Sequence, residues 1–376
     1  MIDALANDLT QADTPLYALK LLAKPASDDQ AATEVDKDIT QNIAGRLISL
    51  TVTDNRGFEA DTLTLTLDDA DGNIAMPARS AVVGVSLGRQ GENPTDMGSF
   101  TIDQVTHRGT PDQLVISGRS VDFREGMNTA KEGSWHDTTL GAIVENIATR
   151  NKLKASVAAE LAGIKIAHID QSKESDIGFL TRLAIRNGAE IAVKKGTLIF
   201  LVPGKCVRNG KAVTPVTISR GDGDTHTFDL ADRAAYGGVV AHWQDTKTPQ
   251  KQTKQVEMKR KEESKQEATN YTAGSAENVY ILPTLYASKD EATRAADAAW
   301  KELQRTAAKF TLVLAQGRGD IAPETPIRLS GFKDVINNTP WVIKKVTHAL
   351  DNKGFITKLE LEIDVSKVAY EFKTQE

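Results

Sequence analysis

The chain has 376 residues, more than one hydrophobic core usually serves, so several domains are expected. A hydrophobic share of 40% and a charged share of 26% exclude global disorder, and a formal net charge of −5 argues against tight, salt-dependent wrapping of a nucleic acid. The single cysteine, Cys206, excludes an intramolecular disulfide and a thiolate zinc cluster, which suits folding in a reducing cytoplasm.

The first residues, MIDALANDLTQADTP, carry acids where a signal peptide would be basic and then apolar. No later run approaches about 18 consecutive apolar residues, so neither secretion by that route nor membrane insertion is expected. Leu16 to Leu22 reads as a short strand and Ala23 to Asp38 as a polar loop. Strand signals then crowd together at Leu47 to Thr53, Thr62 to Leu67, Ala81 to Leu87, Gly98 to Thr106 and Gln113 to Gly118. In Thr62 to Leu67 threonine and leucine alternate strictly, so the leucines face a core. Asp54-Asn55-Arg56-Gly57 and the run from Asp68 to Asn73 read as the turns of this antiparallel β domain.

Trp135 to Arg150 reads as a helix capped by Asp137 or Thr138 that buries Leu140, Ile143, Val144 and Ile147. From Ser172 to Val202 a second helix and a hairpin are predicted. Ser172 or Ser175 caps the helix, Ile177, Leu180, Leu183 and Ala184 form its apolar face, and Asn187-Gly188 supplies a left-handed stop. Lys194-Lys195-Gly196 turns the hairpin. The β pattern returns at Val213 to Ile218, Thr225 to Leu230 and Gly238 to Trp243. Gln244 to Asn278, rich in Lys, Gln, Glu and Thr, reads as a long exposed loop or ribbon. Ser288 with Glu291 makes a capping box for a helix whose small face is Ala292, Ala295, Ala296, Ala299, Leu303 and Ala307. Strands resume at Thr311 to Ala315, Pro326 to Leu329, Trp341 to His348 and Phe355 to Ile363, with a hairpin at Asp351 to Gly354. The fold class is α+β and β-rich, two β units flanking an α+β middle.

Reactive groups are sparse. Asp69-Ala70-Asp71-Gly72 suggests a calcium loop, but that register puts Leu67 first and Ala78 at the bidentate position, so it reads as a hairpin turn. Asp222, Asp224 and His226 are a possible ligand set, yet G-D-G-D is also a tight turn, which is the preferred reading. His168 and Asp170 share a strand face but lack a third ligand. Cys206 has no nucleophile signature, and there is no G-x-S-x-G elbow, P-loop or dinucleotide fingerprint. With 51 acids, a glycosidase carboxylate pair is not excluded by inspection. Lys259-Arg260-Lys261 is offset by Glu257, Glu262 and Glu263 and reads as a solvated segment. No catalytic residue, cofactor site or metal site is expected.

Five stretches carry a family resemblance: Arg46 to Gly72, Ser175 to Ile191, Tyr286 to Arg305, Phe310 to Phe332 and Trp341 to Glu362. With these the chain resembles the phage late control gene D family, baseplate hub proteins of contractile tails and R-type pyocins that are related to the hub part of VgrG spikes. Departures fall in polar intervals, chiefly Ala23 to Asp38 and Gln244 to Asn278. The resemblance implies a homotrimeric ring in which each chain gives two β-barrel-like tube domains. Such a hub joins the six-fold tail tube to the three-fold central spike, contacts the tape-measure protein and other baseplate proteins, and binds no specific nucleic acid sequence. It is assembled in the host cytoplasm and ends in the virion tail baseplate or a tailocin particle. The expected domains are 1–120, the first tube-like unit; 121–212, central α+β; 213–243 with 310–370, the second tube-like unit; and 244–309, an inserted polar loop and capped helix. Edge strands of the tube units are expected to pair across subunits. The function expected is structural and not enzymatic, the rival being a tail-associated cell-wall hydrolase.

Overall fold

The computed structural model describes residues 15–22, 36–57, 59–78, 80–120, 125–194, 196–205, 207–208, 211–230, 236–244, 254–260, 278–352, 354–367 and 370–375. Most of the two expected polar loops, the turn residues Lys195 and Lys353, Cys206 and Lys261 therefore lie outside the described residues, as do the side chains of Lys259 and Arg260.

The first β unit holds β1 (Pro15–Leu22), β2 (Lys37–Asp38), the single turn α1 (Thr40–Ile43), β3 (Leu47–Asn55), β4 (Thr62–Asp68), β5 (Val82–Arg89), β6 (Thr95–Arg108) and β7 (Gln113–Ser120). On β4 the alternation works as expected, with Leu63, Leu65 and Leu67 buried beside Leu50, Val52 and Phe100.

The α+β unit follows with β8 (Ala130–Thr139), α2 (Leu140–Arg150), β9 (Lys154–Val157), α3 (Ala159–Ala162), β10 (Lys165–Ser175), α4 (Asp176–Arg186), β11 (Glu190–Lys194) and β12 (Thr197–Leu201). The short pair β13 (Val207–Arg208) and β14 (Lys211–Ala212) leads out of it. Ser175 caps α4 by accepting from the Gly178 amide at 3.1 Å, and Gly188, at φ +63°, ends it. Leu180, Leu183, Ala184 and Phe179 are buried against Ile143, Val144 and Ile147 of α2.

Helix α2 is shorter than expected, and its cap is Thr139, which accepts from the Ala142 amide at 3.3 Å. Trp135 to Thr139 is instead strand, because β8 pairs with β10 along this run and Trp135 turns inward to stack on Phe179 at 6.3 Å.

The remaining elements are β15 (Val216–Ser219), β16 (Gly223–Leu230), β17 (Gly238–Trp243), β18 (Lys254–Arg260), β19 (Val279–Tyr286), α5 (Lys289–Thr306), β20 (Ala308–Leu314), β21 (Pro326–Ser330), the single turn α6 (Asp334–Asn337), β22 (Trp341–Asp351), β23 (Gly354–Ile363) and β24 (Tyr370–Gln375). The second β unit packs Phe310, Leu312, Trp341, Ile343, Leu359 and Leu361 into its core.

Two features of the architecture differ from the sequence reading. First, β22 pairs with β3 from Lys345↔Asn55 to Asp351↔Ser49, so the two β units share one 13-stranded sheet. Leu350 and Phe355 from the second unit even enter the first unit's core. Among the described strands this sheet does not close: its order runs from β16 at one end to β1 and β2 at the other.

Second, β17 is not part of that sheet. It lies in a separate four-stranded sheet of order β19-β17-β18-β24. The reason is the inner face of α5, where the small Ala292 and Ala296 and the large Trp300, absent from the face expected from the sequence, cover Val239 and Ala241 of β17 and Val256 of β18. The described parts of the interval from 244 to 309, β18, β19 and α5, thus build a fourth core together with β17, and β24 pairs with β18 in the same sheet.

Candidate functional site

The turn after β3 reads in the sequence as a plain link between strands, and in the structure it joins the units. The side chain of Arg56 is 5% exposed and meets three carboxylates from distant parts of the chain. Its Nε donates to Glu190 Oε2 of β11 at 2.8 Å, and Nη1 donates to Glu324 Oε1 at 3.1 Å and, more closely, to Glu362 of β23. Arg305 of α5 approaches Glu362 at 3.7 Å and pairs with Glu302. Glu324 stands at φ +63°, a left-handed conformation, held by its amide to the Ile343 carbonyl and by Oε2 accepting from the Gly204 amide at 2.9 Å.

The charges set one another's titration. Burial works against the Arg56 guanidinium, but Glu362 and Glu190 outweigh it and raise its pKa further above the ordinary value. Burial pushes Glu324 up to about 7, only partly opposed by Arg56. Beside it, Lys194 of β11 donates to Asp54, to the Asn55 carbonyl at 2.8 Å and to Asp61 at 3.3 Å. Burial and the neighbouring Asp54 raise Asp61 to about 6, with Lys194 pulling the other way. This junction of Arg56 and Lys194 pins the α+β unit to the β3–β22 seam.

At the other end of that seam is an open cleft of roughly 910 Å³, bordered by Arg89, Glu92, Asp222, Gln316, Arg318 and Asp320. Arg89 crosses between the units there, donating to the Gly317 carbonyl at 2.8 Å and to Gln316 at 3.1 Å. Gly317 lies against Phe355, where a Cβ would come within 2.4 Å of the ring. Charges of both signs line this cleft, so it offers a polar docking surface.

The sequence candidates separate. Asp69 and Asp71 serve the turn, Asp69 accepting from the Ile74 amide at 2.9 Å and Asp71 gripped by Arg46, which lowers its pKa. Asp222 caps its own turn by accepting from the Ser219 amide and hydroxyl, while His226 packs against Phe310 and Phe332. Asp222, Asp224 and His226 do not converge. His168 and Asp170 do meet, and the structure adds His136 and Ser134 of β8 beside them. Among the described residues no group of three or more His, Cys, Asp and Glu is arranged to hold a metal ion.

Arg56, Lys194 and Asp176 escaped the sequence reading. Asp176 is fully buried at the start of α4 and accepts from Lys131 at 2.7 Å, from Arg150 and from Asn151 and Gln171. Burial opposes its ionised form, but these donors outweigh it and lower its pKa. For Arg56 no local signal exists, because its partners stand 134, 268 and 306 residues away in sequence.

Residues 61–354 match the family model of the phage tail baseplate hub (GPD). The "Probable baseplate hub protein" of Escherichia phage P2 is 50% identical over 400 aligned positions that cover 100% of both chains. Its counterpart from Escherichia phage 186 is 51% identical, over 89% of this chain and 92% of its own. Among solved structures, the 43 kDa tail protein of prophage MuSo2 from Shewanella oneidensis has the same fold, with a TM-score of 0.67 at 13% identity over 93% of this chain and 99% of its own.

Proposed function

The chain belongs to the phage tail baseplate hub family and is a baseplate hub protein of phage tails, and from this premise we propose that three copies form the ring that joins the six-fold tail tube to the three-fold central spike. The observation that carries the proposal is the shared sheet. Two β units, each with its own apolar core and made continuous by the β3–β22 pairing, support a copy that contributes two lobes, so that three copies give six.

The ends of that sheet support head-to-tail addition of copies. Ten strands from β16 to β1 are all antiparallel neighbours, so the terminal strands run in opposite directions. β16 of one copy therefore meets the first residues of β1 of the next in the same antiparallel sense. On the β1 side, β2 and Thr40 already cover Leu19 to Leu21, which among the described residues leaves Pro15 to Ala18 as the open stretch. Tube-like closure of each lobe then comes from neighbours in the ring, and the tube-like units are 1–120 and, without β17, the part of 213–243 up to Leu230 together with 310–370, around the central 121–212.

In this reading the bore continues the tube lumen, where a net negative chain does not retain DNA. The spike, the tube and tape-measure proteins and other baseplate proteins are its partners, assembly takes place in the host cytoplasm, and no catalytic step is involved. Light scattering over a concentration range, with image averages of the same peak, tests it. A trimer with six similar lobes is expected; a monomer at every concentration, with the spike protein added as well, overturns the ring. A peptidoglycan zymogram is expected to stay blank, and lysis that disappears on mutating one acid would establish the hydrolase reading instead.

A further inference from the structure

The β8–β10 ribbon is a two-stranded sheet with no third strand beside it among the described residues. On it, His168 stands opposite His136 and Asp170 opposite Ser134, and the spacing of two along each strand puts all four on one face. They are open to solvent, the side chains of His168 and Asp170 being 54% and 50% exposed. The imidazole centroids are 4.6 Å apart with 29° between the ring planes.

The contacts of the four side chains close into a loop. Ser134 Oγ donates its single proton to Asp170 Oδ1 at 2.5 Å, so the 3.0 Å contact between Ser134 Oγ and His136 Nε2 needs its proton from the imidazole. Likewise His168 Nε2 donates to Asp170 Oδ2 at 3.2 Å. These contacts place a hydrogen on Nε2 of each ring. Their Nδ1 atoms then meet at 3.1 Å, a contact that is repulsive between two lone pairs and is relieved by a proton or a metal cation placed against both.

This is the arrangement in which histidines hold a metal: each ligating ring gives its other N–H to an oxygen that fixes the tautomer, here a carboxylate for one and a carboxylate-bound hydroxyl for the other. Two nitrogens at about 2.0–2.1 Å from one ion lie about 2.9 Å apart at a right angle and about 3.4 Å apart at the tetrahedral angle, and 3.1 Å falls between these limits. We propose that His136 and His168 form a two-histidine site for a divalent cation of the zinc class, oriented by Ser134 and Asp170, with water in the remaining coordination positions. The bound ion clamps the two strands of the ribbon across the pair. The site is independent of the ring reading.

The test uses the full chain without a histidine tag, treated with chelator and titrated with cobalt(II), whose visible absorption reports nitrogen ligation, followed by displacement with zinc(II). One ion per chain is expected, with the band lost in His136→Ala and in His168→Ala and the affinity lowered about 10–100-fold in Asp170→Asn. His107→Ala, which changes a histidine outside the ribbon, leaves binding unchanged. Circular dichroism checks the fold of each variant, and His136→Gln is the fallback if an alanine variant unfolds. A shared proton would satisfy the same contact, so no uptake of cobalt, or uptake equal in the wild type and both histidine variants, overturns the proposal.

Discussion

Arg56 is one cation among three carboxylates, and its removal leaves their negative charge with no cation among the described residues closer than Arg305, which lies 3.7 Å from Glu362. Arg56→Met is therefore expected to destabilise the fold by about 3–5 kcal/mol in denaturant titration, and Arg56→Lys to recover only part, since an ammonium cannot reproduce the fork. Glu324 gives the junction a pH signature. Its folded pKa, about 7, lies above the ordinary 4.5, so its protonated form favours the fold. That contribution is complete below about pH 4.5 and is lost as pH rises through about 7, an effect of about 3 kcal/mol. Asp61, raised to about 6, acts in the same sense at lower pH. His348 acts oppositely: it is buried beside Thr357 and depressed to about 4, so its contribution is lost as pH falls from 6.5 toward 4. Thermal unfolding of Glu324→Gln should therefore show a smaller loss of Tm between pH 5 and pH 8 than the wild type. An identical slope would mean that Glu324 is ionised in the fold throughout. None of these residues was legible in the sequence, because their chemistry arises from partners that only tertiary structure supplies.

At the scale of elements the sequence was far more informative, because caps, turns and periodicity act over a few residues. Ser175, Asn187-Gly188 and the Thr-Leu alternation of β4 all performed as their types dictate. Trp135 to Thr139 misled because a strand that pairs far along the chain carries no mark beside the start of α2. The membership of β17 was hidden for the same reason, its partners being β18, inside a polar interval, and β19, a run between that interval and α5 that the sequence reading did not assign to a strand. Two substitutions test elements. Asp176→Asn leaves Lys131 and Arg150 facing a neutral group, and should destabilise the α+β unit by about 3 kcal/mol. Gly317→Ala drives a methyl into Phe355 and should destabilise the cleft end of the seam by about 1–3 kcal/mol, read as faster hydrogen exchange in β23 than in β11.

The whole molecule has one large sheet carrying two apolar cores, while the α+β unit has a core of its own and is fastened by Arg56, Lys194 and the hydrogen bond from Arg294 Nε of α5 to Asn187 Oδ1 at 3.2 Å. Arg56→Met should therefore separate the unfolding of the α+β unit from that of the sheet, giving two calorimetric transitions where the wild type gives one. The family was legible at this scale through long ordered stretches, whereas the merging of the β units was not, since each strand alternates alike whichever neighbour it takes. That merging bears on how the polypeptide is made. Thr51 lies opposite Ala349, and Leu50 and Val52 share their core with Leu350 and Phe355, so the early strands leave the ribosome long before the residues that complete them. Until then β3 waits as an uncovered hydrophobic edge, which makes the nascent chain prone to aggregate and makes a premature stop near residue 340 more damaging than its small loss of sequence implies.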